Sequence, residues 1–213
     1  MAITGRTSNE CFDQFVQHAR GLVSKMLPSR IPLLCPKPPK AAHARALQKR
    51  VLRFENASTG HTVPLETRAH GTVYLYMAQE LITEPHAEAN HVLRTKKYWY
   101  KLYGLAPTRT DDADAIIRWE YASADPVHNT PPRHHVQFGK MVTPVPLGTS
   151  TFDLTHLHMP TGWVTMEEIC RFLVSDIGIE PPCGADWPHV LAEGEEHFYG
   201  KATDRGGRGH NRG

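Results

Sequence analysis

Two long runs, Thr72 to Ile82 and His91 to Leu105, constrain this chain most. They carry Val73, Tyr74, Leu75 and Tyr76, then Tyr98, Trp99, Tyr100, Leu102 and Tyr103. Aromatic and β-branched residues at that density fit a pleated, half-buried surface better than a helix. Val51 to Glu55 alternates as a strand before a turn at Asn56 to Gly60, and Ala115 to Tyr121 makes another strand. The polar segment Thr108 to Asp114, between the His91-to-Leu105 run and that last strand, is short enough for a hairpin loop. Consecutive strands on short loops favour an antiparallel meander, since a parallel crossover needs a dozen or more residues.

Helical periodicity is confined to the two ends. Phe12, Phe15, Val16, Ala19, Leu22, Val23 and Met26 recur at three and four residues, behind Ser8 or Asn9 as the cap, and the pattern stops before Pro28. Pro32, Pro36, Pro38 and Pro39 then make a stiff extended connector. Such a helix is either an arm offered to a protein partner or a second copy, or a helix folded back on its own core. Ala41 to Lys49 is compatible with a short helix carrying Arg45 and Lys49. Near the other end, Thr165 and Glu168 have capping-box spacing, Ile169, Phe172, Leu173 and Ile177 form one apolar face, and Gly178 is the stop. Val190 to Tyr199 adds an acidic helix. The expected fold is therefore α+β: an antiparallel sheet of five to seven strands covered by a C-terminal helix, with an N-terminal helical arm. The expected divisions are 1–40 for arm and connector, 41–182 for the core domain, and 183–213 for an extension with a flexible basic tail.

Composition narrows the class. A chain of 213 residues supports one sizeable core, and 40% hydrophobic with 22% charged residues is the balance of a globular protein. No stretch reaches the roughly 18 apolar residues of a membrane helix, and the first nine residues are polar, so no membrane partner and a cytoplasmic setting are expected. Cys11, Cys35, Cys170 and Cys183 are scattered without a paired spacing, which suits idle thiols, and Cys170 falls on the apolar helix face. Walker, dinucleotide-binding, nucleophile-elbow and zincin motifs do not occur.

The chemistry concentrates between Pro131 and Trp163. Arg133-His134-His135-Val136-Gln137-Phe138 and Phe152 to Pro160 read as two strands, and the second places His156 and His158 on one face. If the strands pair, His134 or His135 comes within reach of them. Arg118 and Glu120 share a face of the preceding strand. His134, His135, His156, His158, Arg118 and Glu120 are the candidate catalytic residues. Two histidines can act as base and acid in cutting RNA, one on the 2′-hydroxyl and one on the leaving oxygen, with an arginine opposing the developing charge and no cofactor required. A transition metal held by His135, His156 and His158 would serve a metal-dependent hydrolase. Structural histidines in a non-catalytic interaction or regulatory module are the third possibility. Arg133, Tyr100, Arg205 and Arg208 are the candidate nucleic-acid contacts, the last two from the Arg-Gly tail.

Arg118-Trp119-Glu120-Tyr121-Ala122, then Pro126, His128 and Pro132-Arg133-His134-His135-Val136-Gln137, resemble the TumE-like small bacterial toxins of type II toxin-antitoxin pairs. The resemblance covers about a third of the chain, aligning Tyr98 to Tyr103, Arg118 to Ala122, Pro132 to Gln137 and Thr165 to Val174 with that family's parts. It implies a toxin-like protein acting on RNA and restrained by a partner encoded alongside. Gln137 stands where the family tends to have a histidine, the strand bearing His156 and His158 is an insertion, and the first 90 residues have no counterpart.

Overall fold

A computed structural model of the protein describes residues 3–37, 49–56, 60–88, 90–107, 114–122, 134–139, 145–147, 150–152 and 157–201. In chain order the elements are β1 (Thr4–Gly5), α1 (Ser8–Met26), β2 (Leu33–Leu34), β3 (Lys49–Phe54), β4 (Thr62–Thr67), β5 (Gly71–His86) and β6 (Asn90–Tyr103). They continue with β7 (Ile117–Ala122), β8 (His134–Phe138), β9 (Val145–Leu147), β10 (Ser150–Phe152), β11 (His158–Pro160), α2 (Met166–Phe172) and α3 (Trp187–Lys201). Among the described residues nine strands build one antiparallel sheet in the order β11-β8-β7-β6-β5-β3-β2, with β1 beside β6 and β4 beside β5. The fold is α+β, as expected, with a larger sheet. β1 and β2 are two residues each, too short to leave a pattern. β4 contains Pro64, which demotes a run in a sequence reading and is tolerated here because β4 lies at the side of the sheet against β5 and Pro64 is exposed.

Helix α1 lies in the core. All seven of its periodic residues are buried together with Cys11, in one cluster with Leu52, Phe54, Leu75, Met77, Tyr98 and Tyr100 of the sheet. Burying a side chain the size of Phe12 or Phe15 contributes about 1.5–3 kcal/mol, so of the two arrangements open to this helix the packed one is strongly stabilised. Its cap is Thr7, not Ser8 or Asn9. Thr7 Oγ1 accepts from Glu10 N–H at 3.2 Å while Glu10 accepts from Thr7 N–H at 3.3 Å, a reciprocal pair only this spacing allows. Ser8 Oγ instead meets Thr83 Oγ1 at 2.6 Å, and Asn9 accepts from Arg50.

At the other end, Thr165 and Glu168 do form the capping box of α2, whose Met166, Ile169 and Cys170 join the same core. A π-helical turn at Leu173–Ile177 follows, and Gly178 ends it with φ of 80°, a conformation that penalises any side chain. Helix α3 adds Val190 and Leu191 to the core. Residues 41–48, expected as a short helix, and the tail from 202 lie outside the described residues; Lys49 opens β3.

The sheet has two unlike faces. Tyr98, Tyr100 and Leu102 of β6 join the helix-covered core, whereas the intervening Lys97, Trp99 and Lys101 face the other way. Antiparallel partners share a face, so registry carries that division across the sheet.

Candidate functional site

On the face away from the helices, strand registry draws two transverse rows. One runs Ala78, Trp99, Glu120, His135, Pro160; the next runs Tyr76, Lys101, Arg118, Gln137, His158. Neighbouring strands are about 4.8 Å apart, so consecutive members of a row touch. Arg118, Glu120, His135 and His158 are thereby gathered by four separate backbone positions on three strands.

The rings of His135 and His158 stand 5.1 Å apart between centroids, tilted by 52°. His135 Nε2 lies 3.7 Å from Glu120 Oε2, within ion-pair range and beyond hydrogen-bond length. Glu120 Oε1 is 3.9 Å from Arg118 Nη1, and Arg118 Nη2 donates to Gln137 Oε1. The guanidinium, the carboxylate and the first imidazole are largely shielded, with side chains 12%, 19% and 6% exposed. Charges held that far from water interact more strongly than on an open surface. The arrangement offers two imidazoles within reach of one phosphoryl group, a guanidinium for its oxygens, and a carboxylate that balances positive charge.

His134 does not join them. Successive strand residues face opposite ways, so once His135 faces Glu120 its neighbour faces the helices. There His134 stacks on Tyr121 at 4.3 Å and 4°, its Nδ1 sits 3.2 Å from the Tyr98 hydroxyl, and Trp163 covers both rings. Tyr98 also accepts the Val164 N–H at 3.2 Å, and burial pushes its phenol well above the ordinary tyrosine range.

Tyr100, expected to contact nucleic acid, turns to the helix side by the same alternation. It is fully buried on the helix side, accepts from Gln79 Nε2 at 2.5 Å, and is raised by burial, so it presents no surface to a base. The aromatic residue that β6 turns to the outer face here is Trp99, one position earlier, with Lys97 Nζ 5.9 Å above its ring; Lys101 Nζ lies 5.3 Å from the ring of Tyr76 on β5. The signal that separates Trp99 from Tyr100 is strand parity, and it becomes usable only when one residue's face is known.

His156, Arg133, Arg205 and Arg208 lie outside the described residues. The expected strand from Phe152 to Pro160 is two strands, with Phe152 ending β10 and His158 opening β11, and residues 153–156 between them are likewise outside. Among the described residues no group of three or more His, Cys, Asp or Glu side chains is arranged to hold a metal ion.

A second ionisable pair, unmarked in the sequence, sits on the helix side. His18 Nε2 of α1 lies 3.0 Å from Oε1 of the fully buried Glu167 of α2. A cavity of about 390 Å³ between α1 and α3 opens beside it, lined by Gln14, His18, Lys25, Glu193 and Gly194 among others.

No family model matches the chain, and neither a curated protein nor a solved structure does.

Proposed function

We propose that the outer sheet face is a metal-free RNA-cleaving site in which His135 and His158 act as the general acid and base. The observation that supports this most directly is their convergence, 5.1 Å apart, beside Arg118. In the proposed step one imidazole takes the 2′-hydroxyl proton as that oxygen attacks the adjacent phosphorus. The other donates a proton to the departing 5′-oxygen, leaving a 2′,3′-cyclic phosphate and a 5′-hydroxyl. Glu120, beside His135, offsets the charge of an imidazolium there, which assigns the donor to His135 and the base to His158. Arg118 faces the negative charge that builds on the phosphoryl oxygens. The resemblance to TumE-like toxins belongs to the same proposal, and with it a restraining protein partner.

The test is cleavage of a labelled RNA oligonucleotide in the presence of EDTA. His135→Ala and His158→Ala are each expected to lose about 10²- to 10⁴-fold in rate while keeping the wild-type circular dichroism and melting transition. A substrate with a single 2′-deoxy nucleotide at the cleaved position should resist. Cleavage that persists unchanged in either folded variant, or that EDTA abolishes, would overturn the mechanism.

A second reading draws on the burial of His135, which is only 5% exposed and faces Glu120. On it the histidines are structural and the chain is a non-catalytic interaction module. Absence of RNA cleavage by the wild-type protein, together with a lowered melting temperature for His135→Ala, would favour it.

A further inference from the structure

We infer that the cavity between α1 and α3 binds a small organic anion, with a carboxylate or phosphate at one end, an apolar body, and a hydrogen-bonding group at the other end. The inference draws on the helix side of the sheet and does not depend on cleavage at the outer face. The cavity, about 390 Å³, is of the size that ligand pockets have.

Two glycines stand in its walls, Gly21 on α1 and Gly194 on α3, each within a helix interior that glycine weakens. Packing accounts for Gly194, whose Cβ would strike the Glu167 side chain. It does not account for Gly21, where an added Cβ would meet no atom within 4 Å. The missing side chain at Gly21 instead leaves the middle of the cavity open. The inner wall also departs from what stability favours. Glu167 is fully buried, and its Oε1 faces His18 Nε2 at 3.0 Å while Oε2 has no hydrogen-bond partner among the described residues. A buried carboxylate with an unmatched oxygen detracts from stability, and such departures concentrate at functional sites. Here the carboxylate fixes the ring of His18 as a polar wall, and buried Leu22 and Val190 supply an apolar one.

The unspent charge of the lining sets the sign of the ligand. Glu193, the carboxylate among the lining residues, is engaged by His189 Nε2 at 3.2 Å, whereas Lys25 makes no ion pair among the described residues. His18, Gly21 and Lys25 stand at i, i+3 and i+7 on one face of α1, and seven helical residues rise about 10 Å. An anionic group at Lys25 and a polar group beside His18 and Gln17 are therefore the two ends of a molecule about 10 Å long, its apolar body lying over Gly21.

Isothermal titration calorimetry on the full chain tests this with p-hydroxyphenylpropionate and tyrosol phosphate as the anions, p-hydroxyphenylpropionamide as the neutral analogue and tyramine as the cation. At least one anion is expected to bind more tightly than the amide, with tyramine weakest. Lys25→Gln should weaken that anion about 5-fold and leave the amide unchanged. Gly21→Leu, which fills open space and favours the helix, should abolish binding without lowering the melting temperature. Should Gly21→Leu not fold, the exposed Lys25→Gln change carries the test by itself. Anion binding with both responses upholds the inference, and the tighter of the two anions names the head group. Failure of both anions to bind at millimolar concentration, tyramine binding as tightly as the anions, or anion binding that Gly21→Leu leaves unaltered overturns it.

Discussion

The hydroxyl of Tyr98 accepts the Val164 N–H and lies against His134 Nδ1, each at 3.2 Å, in a fully buried position. Removing it leaves the Val164 N–H without its partner, and Tyr98→Phe is expected to cost about 1–3 kcal/mol in chemical denaturation. Because Tyr98 is on the helix face, the proposed RNA cleavage should not change per folded molecule in Tyr98→Phe; a cleavage activity lost with unaltered stability would show that the aromatic nest, and not the outer face, holds the chemistry. At this scale the histidine pair was only partly legible. The residues between Pro131 and Trp163 do bring two imidazoles together, His135 and His158, and Arg118 and Glu120 do border them. Which of two adjacent histidines faced that way, and which of Trp99 and Tyr100 faced out, depended on the identity of the buried face. Alternation alone gives two equivalent answers.

Among the elements, the junction of α1, α2 and α3 makes a prediction against propensity. In a free helix Gly194→Ala would stabilise by about 1 kcal/mol. Here a Cβ at Gly194 would lie 2.9 Å from Glu167 Oε1 and 3.0 Å from its Cγ, and that carboxylate is fully buried and held by His18. Gly194→Ala should therefore lower the melting temperature, and a raised one would mean that Glu167 can move aside. The helices themselves were readable because a stripe at three and four residues records the buried face directly. Thr165 and Glu168 stand in the reciprocal capping spacing, and so do Thr7 and Glu10, where the adjacent Ser8 and Asn9 are competing cap residues. Strand ranges were approximate for β5 and β6, while β11 was merged with the residues before it because pairing, not pattern, ends a strand.

For the whole molecule, burial of weak acids sets the behaviour in alkali. Cys35 is pushed up to about 11 by burial, and Cys170, Tyr98 and Tyr100 are raised by the same cause. The unfolded chain releases thiol protons from about pH 9 and tyrosine protons from about pH 10, while the folded chain still holds them. The native state thus binds more protons there, so this stabilisation is complete below pH 9 and falls as pH rises. Urea midpoints measured under reducing conditions should drop between pH 8 and pH 10.5; a midpoint that stays level would contradict the burial of these groups. The amino-acid sequence by itself determined the class of the fold, its antiparallel strands, its two terminal helical regions and the neighbourhood of the candidate site, since these follow from local periodicity and composition. Tertiary structure alone decided that α1 packs into the core, that Trp99 and not Tyr100 faces outward, and that His135 meets His158 without His134. Those outcomes depend on strand registry and on which face the helices cover, and both are set by contacts between residues far apart in the chain.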